Sequence, residues 1–228
     1  MRTPNIRRRS AKRHSFFCQL LLLASIFNFH LLPLSHALSS LITPGVTKIP
    51  QNVNLLWGFN PVTHVNVADY IKDQRVVIVG LPAAFVETSS NIQVPSYLNN
   101  IQALKDCGVQ NVLIYTCNDS AVVGVWNKKL LEQFDGGKND LVTFLADPSQ
   151  AFTNALGMEL NDHDNDDVKE CGLLNRCKRF AMIVEPDGTI FHVATSESPD
   201  DPMGELIPQA TCAEAILEVL RGMEPTDL

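Results

Sequence analysis

Two nearly uninterrupted apolar runs, Arg75–Leu81 (RVVIVGL) and Val109–Tyr115 (VQNVLIY), constrain the fold of this chain more than any other feature. Branched side chains without polar alternation suit strands covered on both faces, and such strands belong to parallel sheets sandwiched between helices. Pro82 closes the first run, because it has no N–H to give to a ladder. Between the two runs, Ile92, Leu98, Ile101 and Leu104 fall near helical spacing over Ser90–Cys107. Gly108 suits the end of that helix, and Pro95 is expected to bend it near its start.

The same alternation continues. Asp119 can cap a helix reaching about Phe134, with Val122, Val123, Trp126, Leu130 and Leu131 on its apolar side. Leu141–Leu145 reads as a third short strand, and Asp147-Pro148 as the start of a helix to about Leu156. Asn161–Glu170 is acidic and irregular. Arg179–Val184, the turn Glu185-Pro186-Asp187-Gly188 and Thr189–Ala194 read as an antiparallel hairpin. Thr211-Cys212-Ala213-Glu214 has the form of a capping box opening a last helix to about Leu220. Before the first buried run, residues 38 to 68 are turn-rich, and an edge hairpin or loop is expected there. The sum is an α/β domain with a central mixed β-sheet flanked by helices.

The length of 228 residues suits one domain plus an extension. The formal charge of -7 is uneven: no Asp or Glu precedes Asp69, while seven Arg and Lys do, which leaves about -14 on the remainder. An acidic body of this kind excludes nucleic acid as the expected partner, since phosphate binding relies on clustered cations. The basic start to His14, the apolar run Phe16–Leu34 and Ser35-His36-Ala37 read as a targeting peptide cleaved after Ala37. A membrane anchor is the competing reading, but Gln19, Asn28, His30 and Pro33 interrupt the run, and no membrane association is expected after cleavage. The segments are thus a targeting peptide (1–37), a linker (38–49), one domain (50–222) and a short tail (223–228). Entry to the secretory pathway, or to a plastid by a two-part signal, is expected, with the mitochondrion as the alternative.

Of six cysteines, Cys18 leaves with the leader, and Cys107, Cys117, Cys171, Cys177 and Cys212 remain. An odd set without C-x-x-C spacing is neither a disulfide framework nor a zinc ribbon. No metal or other cofactor is expected. The run Asp162-His163-Asp164-Asn165-Asp166-Asp167 lacks the glycine and closing glutamate of a calcium loop, and reads as a solvated acidic loop.

Val76–Ser90 (VVIVGLPAAFVETSS) resembles the active-site stretch of type II peroxiredoxins, the peroxiredoxin 5 subfamily, whose pattern there is V-x-x-F-G-x-P-G-A-F-T-P-x-C-S. Pro82, Ala84, Phe85 and Ser90 match it. CNDSAVVGVW from Cys117, FLADPSQAF from Phe144, LGMEL from Leu156 and CKRFAMIVEPDGTI from Cys177 resemble later family motifs in the same order, over about Pro50–Leu220. The resemblance implies a thioredoxin-like fold. It also implies chemistry in which a cysteine thiolate at a helix start attacks the peroxide O–O bond and becomes a sulfenic acid. Position by position, Pro82 takes the place of the shielding proline, Val86 that of a peroxide-binding threonine, Ser89 that of the attacking cysteine and Arg179 that of the activating arginine.

Two of those four places have lost their chemistry. A serine hydroxyl is scarcely ionised near neutral pH, attacks peroxide poorly and has no sulfenic state. Val86 matches threonine in shape and lacks its hydroxyl, and Glu87 adds a carboxylate where the family prefers proline. A peroxiredoxin-like protein without normal peroxidase activity is therefore expected. The alternatives are an oxidoreductase using Cys117, Cys177 or Cys212, and a domain that binds a partner without redox chemistry. The resemblance further implies a homodimer, or a heterodimer with a peroxiredoxin, and a glutathione/glutaredoxin or thioredoxin reductant if a thiol is active.

Plainer readings stand beside these. Ser89 and Ser90 can simply cap the following helix. A serine hydrolase lacks the G-x-S-x-G turn, and neither His64 nor His192 is spaced as its base. Arg179 is either a pocket cation or the partner of an acidic side chain. Cys117 is either an inert buried thiol or a substitute redox centre; Cys171 and Cys177 read as incidental, although Lys178 beside Cys177 would ease its ionisation. Cys212 lies only approximately where animal-type relatives keep a second cysteine, and Ile114 occupies the plant-type place. Trp57 and Trp126 read as packing residues.

Overall fold

The computed structural model describes residues 42–45, 47–134, 139–160, 166–198 and 200–223. The targeting peptide, most of the acidic run at 161–165 and the last five residues lie outside these. Seven strands form one sheet: β1 (Asn54–Trp57), β2 (Thr63–Asn66), β3 (Val76–Leu81), β4 (Asn111–Thr116), β5 (Val142–Ala146), β6 (Phe180–Val184) and β7 (Ile190–Thr195), in the order β2-β1-β5-β4-β3-β6-β7. The two apolar runs become β3 and β4, paired in parallel from Val76 opposite Asn111 to Leu81 opposite Thr116. β5 adds to β4 in parallel, whereas β6 runs antiparallel along the other side of β3, which makes the sheet mixed.

Helices cover both faces. On one lie α2 (Val94–Asn99), α3 (Ile101–Asp106), α4 (Ser120–Phe134) and α7 (Ala213–Arg221), whose apolar sides meet Val77, Val79, Ala181 and Ile183. On the other lie α1 (Val67–Tyr70) and α5 (Ala151–Leu156), packed with Ile78, Tyr115, Phe180 and Met182. A short α6 (Asp166–Glu170) stands within the stretch read as irregular. Every residue of β3 is buried, and a Cβ on Gly80 would run into the Phe180 ring, so glycine alone allows that aromatic to lie across the strand. Among the described residues no helix is long and apolar enough to cross a membrane.

Several expectations hold in detail. The Asp119 carboxylate accepts from the N–H of Val122 at 3.0 Å and caps α4. Gly108 ends α3 at φ 79, and the edge hairpin is β1–β2. Trp126 is core, but Trp57, at 57% exposure, is not.

Others need correction. The helix expected from Ser90 is three pieces: a π-helical turn at Ser89–Gln93, then α2, then α3 after a break at Asn100. Pro95 follows the widened turn and supplies no N–H to it, whereas the second break has another cause: the Asn100 amide donates to the Ser96 carbonyl and to Glu214. The capping box does not form. Thr211 donates to the Pro208 carbonyl within a 3-10 turn (Pro208–Thr211) and meets the Ser196 hydroxyl, Glu214 is taken by Asn100, and the Ala213 N–H is satisfied by Ser96 Oγ at 2.9 Å. α5 begins three residues after Pro148, past a left-handed Gln150, and Asp147 reaches across that turn to the Thr153 N–H at 2.9 Å. Residues 47–49, read as linker, lie against the hairpin instead: Thr47 and Gly45 exchange backbone bonds with Ile190, and Ile49 is buried.

Candidate functional site

The loop leaving β3 brings Pro82, Val86 and Ser89 over the C-terminal end of the parallel strands, the usual place for chemistry in such sheets. Its path is fixed by Asn118, whose Oδ1 accepts from the Ala84 N–H at 2.9 Å and from the Thr116 hydroxyl at 3.1 Å. Phe85 takes a left-handed φ of 64 and rests half-exposed near Trp126, with Lys129 above its ring. Pro82 is buried, Val86 half-buried and Glu87 exposed.

Ser89 and Arg179, far apart in sequence, meet in a fully buried contact: Arg179 Nη1 donates to Ser89 Oγ at 3.2 Å and to Gln93 Oε1 at 2.7 Å. Neither serine caps a helix, contrary to the plainer reading. Ser89 Oγ accepts from Arg179, while Ser90 Oγ accepts from the Trp126 indole at 3.0 Å. Both hydroxyls found longer-range donors inside the core.

The second Nη group is also occupied, whereas Nε has no hydrogen-bond partner. Arg179 Nη2 donates to the Glu205 carboxylate, and that residue is held by Thr88, whose hydroxyl donates to its carbonyl at 3.4 Å. Asp201 fixes the loop further by accepting from the N–H groups of Glu205 at 2.9 Å and Leu206 at 2.7 Å. Of the two readings of Arg179, the structure gives the acidic partner. Burial pulls the guanidinium below its ordinary pKa, and the Glu205 charge pulls the other way. An incoming anion would have to displace an internal carboxylate.

The cysteines divide between the faces. Cys212 is buried next to the start of α7, its thiol donating to the Pro208 carbonyl at 3.4 Å, and burial pushes its pKa up. Cys117 and Cys177 pack in the other cluster, with Tyr115, Phe152 and Phe180. The chain bends at Arg179, so Cys177 does not share that residue's face as strict alternation would require. The Cys177 thiol donates to the Leu81 carbonyl at 3.0 Å, and Cys117 lies near it. Lys178 does not ease ionisation of Cys177: full burial pushes the thiol well up, and Lys178 is paired with Glu197 at 3.1 Å. Cys117 instead is lowered, first by its hydrogen bond with Cys177.

Glu205, Gln93 and the Cys117–Cys177 pair were missed in the sequence because each joins residues with no shared motif. Only the Asn118-Asp119 corner had a local signature.

Comparison with known proteins agrees with this architecture. The family model described as Redoxin matches residues 48–207. Peroxiredoxin-2C of Oryza sativa subsp. japonica is 36% identical over 128 residues, 56% of this chain and 72% of that protein. Peroxiredoxin-2F, mitochondrial, of Arabidopsis thaliana is 31% identical over 135 residues, 59% of this chain and 61% of its own length. Among solved structures, reduced Prx3 from Vibrio vulnificus in complex with hydrogen peroxide superposes at a TM-score of 0.63 with 25% identity, covering 80% of this chain and 98% of its own. Peroxiredoxin 5 from Alvinella pompejana gives 0.59 at 25% identity, with 78% and 97% covered. Strand order, helix placement and sequence thus converge: the chain belongs to the redoxin family, as a peroxiredoxin of the type II, peroxiredoxin 5-like group with a thioredoxin-like fold.

Proposed function

We propose that this chain is a peroxiredoxin-type protein whose inherited peroxide pocket is closed, so that Pro82, Val86, Ser89 and Arg179 no longer reduce hydroperoxides. The family's chemistry is thiol-dependent peroxide reduction. The observation that carries the reading is the engagement of Arg179 Nη1 by Ser89 and Gln93 and of Nη2 by Glu205, which leaves only Nε without a partner. A cation already neutralised inside the protein has little left to stabilise a developing anion. The oxygen of Ser89 adds a second obstacle, since it neither ionises near neutral pH nor passes through a sulfenic acid. The hydroxyls on either side are engaged elsewhere, that of Thr88 donating to the Glu205 carbonyl and that of Ser90 accepting from the Trp126 indole.

Such a chain acts through association. Family members commonly form dimers and draw on thioredoxin-type reductants, and pairing with a second copy or with a working peroxiredoxin fits this pattern. Relatives carry mitochondrial and chloroplastic names. With the basic, acid-free leader, this supports delivery to the secretory pathway or, by a two-part signal, to a plastid, with the mitochondrion as the alternative.

Peroxide consumption over many turnovers, with dithiothreitol as reductant, tests the closed pocket. The unaltered chain is expected to show none. Ser89→Cys with Val86→Thr restores a nucleophile and a hydroxyl, and adding Glu205→Gln frees the cation; the triple variant should exceed the unaltered chain by on the order of a hundredfold. Sustained turnover by the unaltered chain that vanishes in Ser89→Ala would overturn the proposal.

A further inference from the structure

The two ends of the sheet are finished differently. At one end residues 45–48 run beside β7 and share backbone hydrogen bonds with Ile190. At the other end β2 pairs, among the described residues, with β1 alone. The Val67 N–H donates to the Val53 carbonyl, and bonded pairs alternate along an antiparallel ladder. Thr63 and Val65 therefore turn their backbone groups to β1, while His64 turns its N–H and carbonyl outward and Asn66 its N–H. Proteins guard such edges with lysine, proline or a bulge. Here β2 holds its register without a break and contains neither lysine nor proline, and no charged residue stands anywhere from Ile49 to Ala68. Beside the edge, the hairpin tip exposes Trp57 at 57%, Phe59 at 67% and Val62 at 40%. An aromatic side chain carries about 150–250 Å² of surface, so the two rings alone leave about 200–300 Å² of apolar area in water.

We infer that the outer edge of β2 is a self-association surface, on which a second copy of this chain lays its own β2 antiparallel across a two-fold axis. The inference rests on the reading that the chain acts through association, and gives that association its place. Charge selects the occupant. The body carries about -14, so another copy is repelled wherever acidic side chains stand and meets no such barrier along residues 49–68. A basic partner would find nothing there to attract it. Hydrogen bonding is self-complementary. With His64 on the axis, the N–H of each His64 meets the carbonyl of the other, and the Asn66 N–H falls opposite the Val62 carbonyl of the second copy. That register also sets the exposed tip of each hairpin over the corner where the other copy's β2 turns into α1. None of residues 57–66 is buried, which makes about 500–600 Å² per copy available, the small end for a specific pair. The dimer is accordingly reversible, and because the pairing uses up both β2 edges it stops at two copies.

Sedimentation velocity of the full chain, from about 1 to 200 µM, provides the test, with amide hydrogen exchange at the two extremes. A monomer–dimer equilibrium with a Kd on the order of tens of micromolar is expected. The His64 amide, open in the dilute chain, should exchange about tenfold more slowly in the concentrated one. His64→Pro removes an N–H that β1 does not use, and Thr63→Lys sets like charges near the axis. Each change occurs twice in the dimer, so each should weaken association about tenfold or more while leaving thermal unfolding of the dilute chain in place. If His64→Pro misfolds, Thr63→Lys and the exchange of the unaltered chain still decide. Added salt should tighten the pair, because screening quiets the repulsion between two acidic bodies. A chain that stays monomeric throughout, a dimer indifferent to Thr63→Lys, or one that salt dissociates overturns the inference. None of these measurements involves Ser89 or Arg179, so the dimer can fail while peroxide assays uphold the closed pocket, and the reverse.

Discussion

On the α2 face of the sheet, Arg179 directs its Nη groups at Ser89, Gln93 and Glu205; on the α5 face, Asp147 and Arg176 each keep a buried polar atom unpaired beside two thiols. The first region bears the sequence signature of a family active site and has become a core network that engages both Nη groups of Arg179 and leaves its Nε without a partner. The second carries family-like motifs as well, from Cys117 and from Cys177, and keeps buried polar atoms of Asp147 and Arg176 without partners beside two thiols. Resemblance to an active site does not by itself say which of its groups are still free to act. Saturation of hydrogen bonds, read group by group, discriminates better.

If the pocket side is held by its charge pair, breaking that pair should produce the largest effect. Glu205→Ala leaves a buried guanidinium without its countercharge. A fully buried pair would cost about 3–5 kcal/mol, and the 25% exposure of the Glu205 side chain reduces this to about 2–3 kcal/mol, measured by urea unfolding. Arg179→Met combined with Glu205→Leu should recover most of the loss. A cost below about half a kcal/mol for Glu205→Ala alone would dissolve the contrast between the faces.

Thr153→Val comes next. It removes the hydroxyl that donates to Asp147 at 2.8 Å and touches both Tyr115 and Cys117, at an expected cost of about 1–2 kcal/mol. The thiol region would look as tightly organised as the pocket if the cost reached that of Glu205→Ala.

Asp147→Asn should be the mildest for stability, below about 1 kcal/mol, because one oxygen still serves Thr153 and the new amide takes the place of the unpaired atom. Its signature is electrostatic. The Asp147 charge opposes ionisation of both thiols, so neutralising it should shift the Cys117 titration, followed by thiolate ultraviolet absorbance, to still lower pH. Cys117 has a depressed native pKa, so its contribution to stability is present above the pH where an unfolded thiol ionises and is lost as pH falls through the native value. Cys177 works in the opposite sense: its contribution is full below the unfolded value and drains as pH rises through the native one. A Cys117 titration unmoved by Asp147→Asn would remove the aspartate from the site.

The framework of this molecule was written locally. β3 and β4 appear as apolar runs, the Asp119 cap as one residue before a periodic stretch, and β6–β7 as strands around Glu185-Pro186-Asp187-Gly188. Each of those signals spans a few residues. The pairing that decides function spans many. Glu205 reaches Arg179 through a loop tied by Asp201, and Cys177 lies near Cys117 just before the chain bends at Arg179. The capping box failed for a related reason: Thr211 and Glu214 had closer-fitting partners in Ser196 and Asn100, which no four-residue motif reveals.

The backbone exchange between residues 45–47 and Ile190, with the bridge from Lys48 to Thr189, has a practical consequence. It seals the first residues of the sheet's outermost strand, β7. A recombinant chain begun near residue 50 would keep all seven strands but strip off this cover, leaving main-chain donors and acceptors free to recruit a neighbouring molecule. Preparations started upstream of residue 42 should stay dispersed where the shorter ones clump.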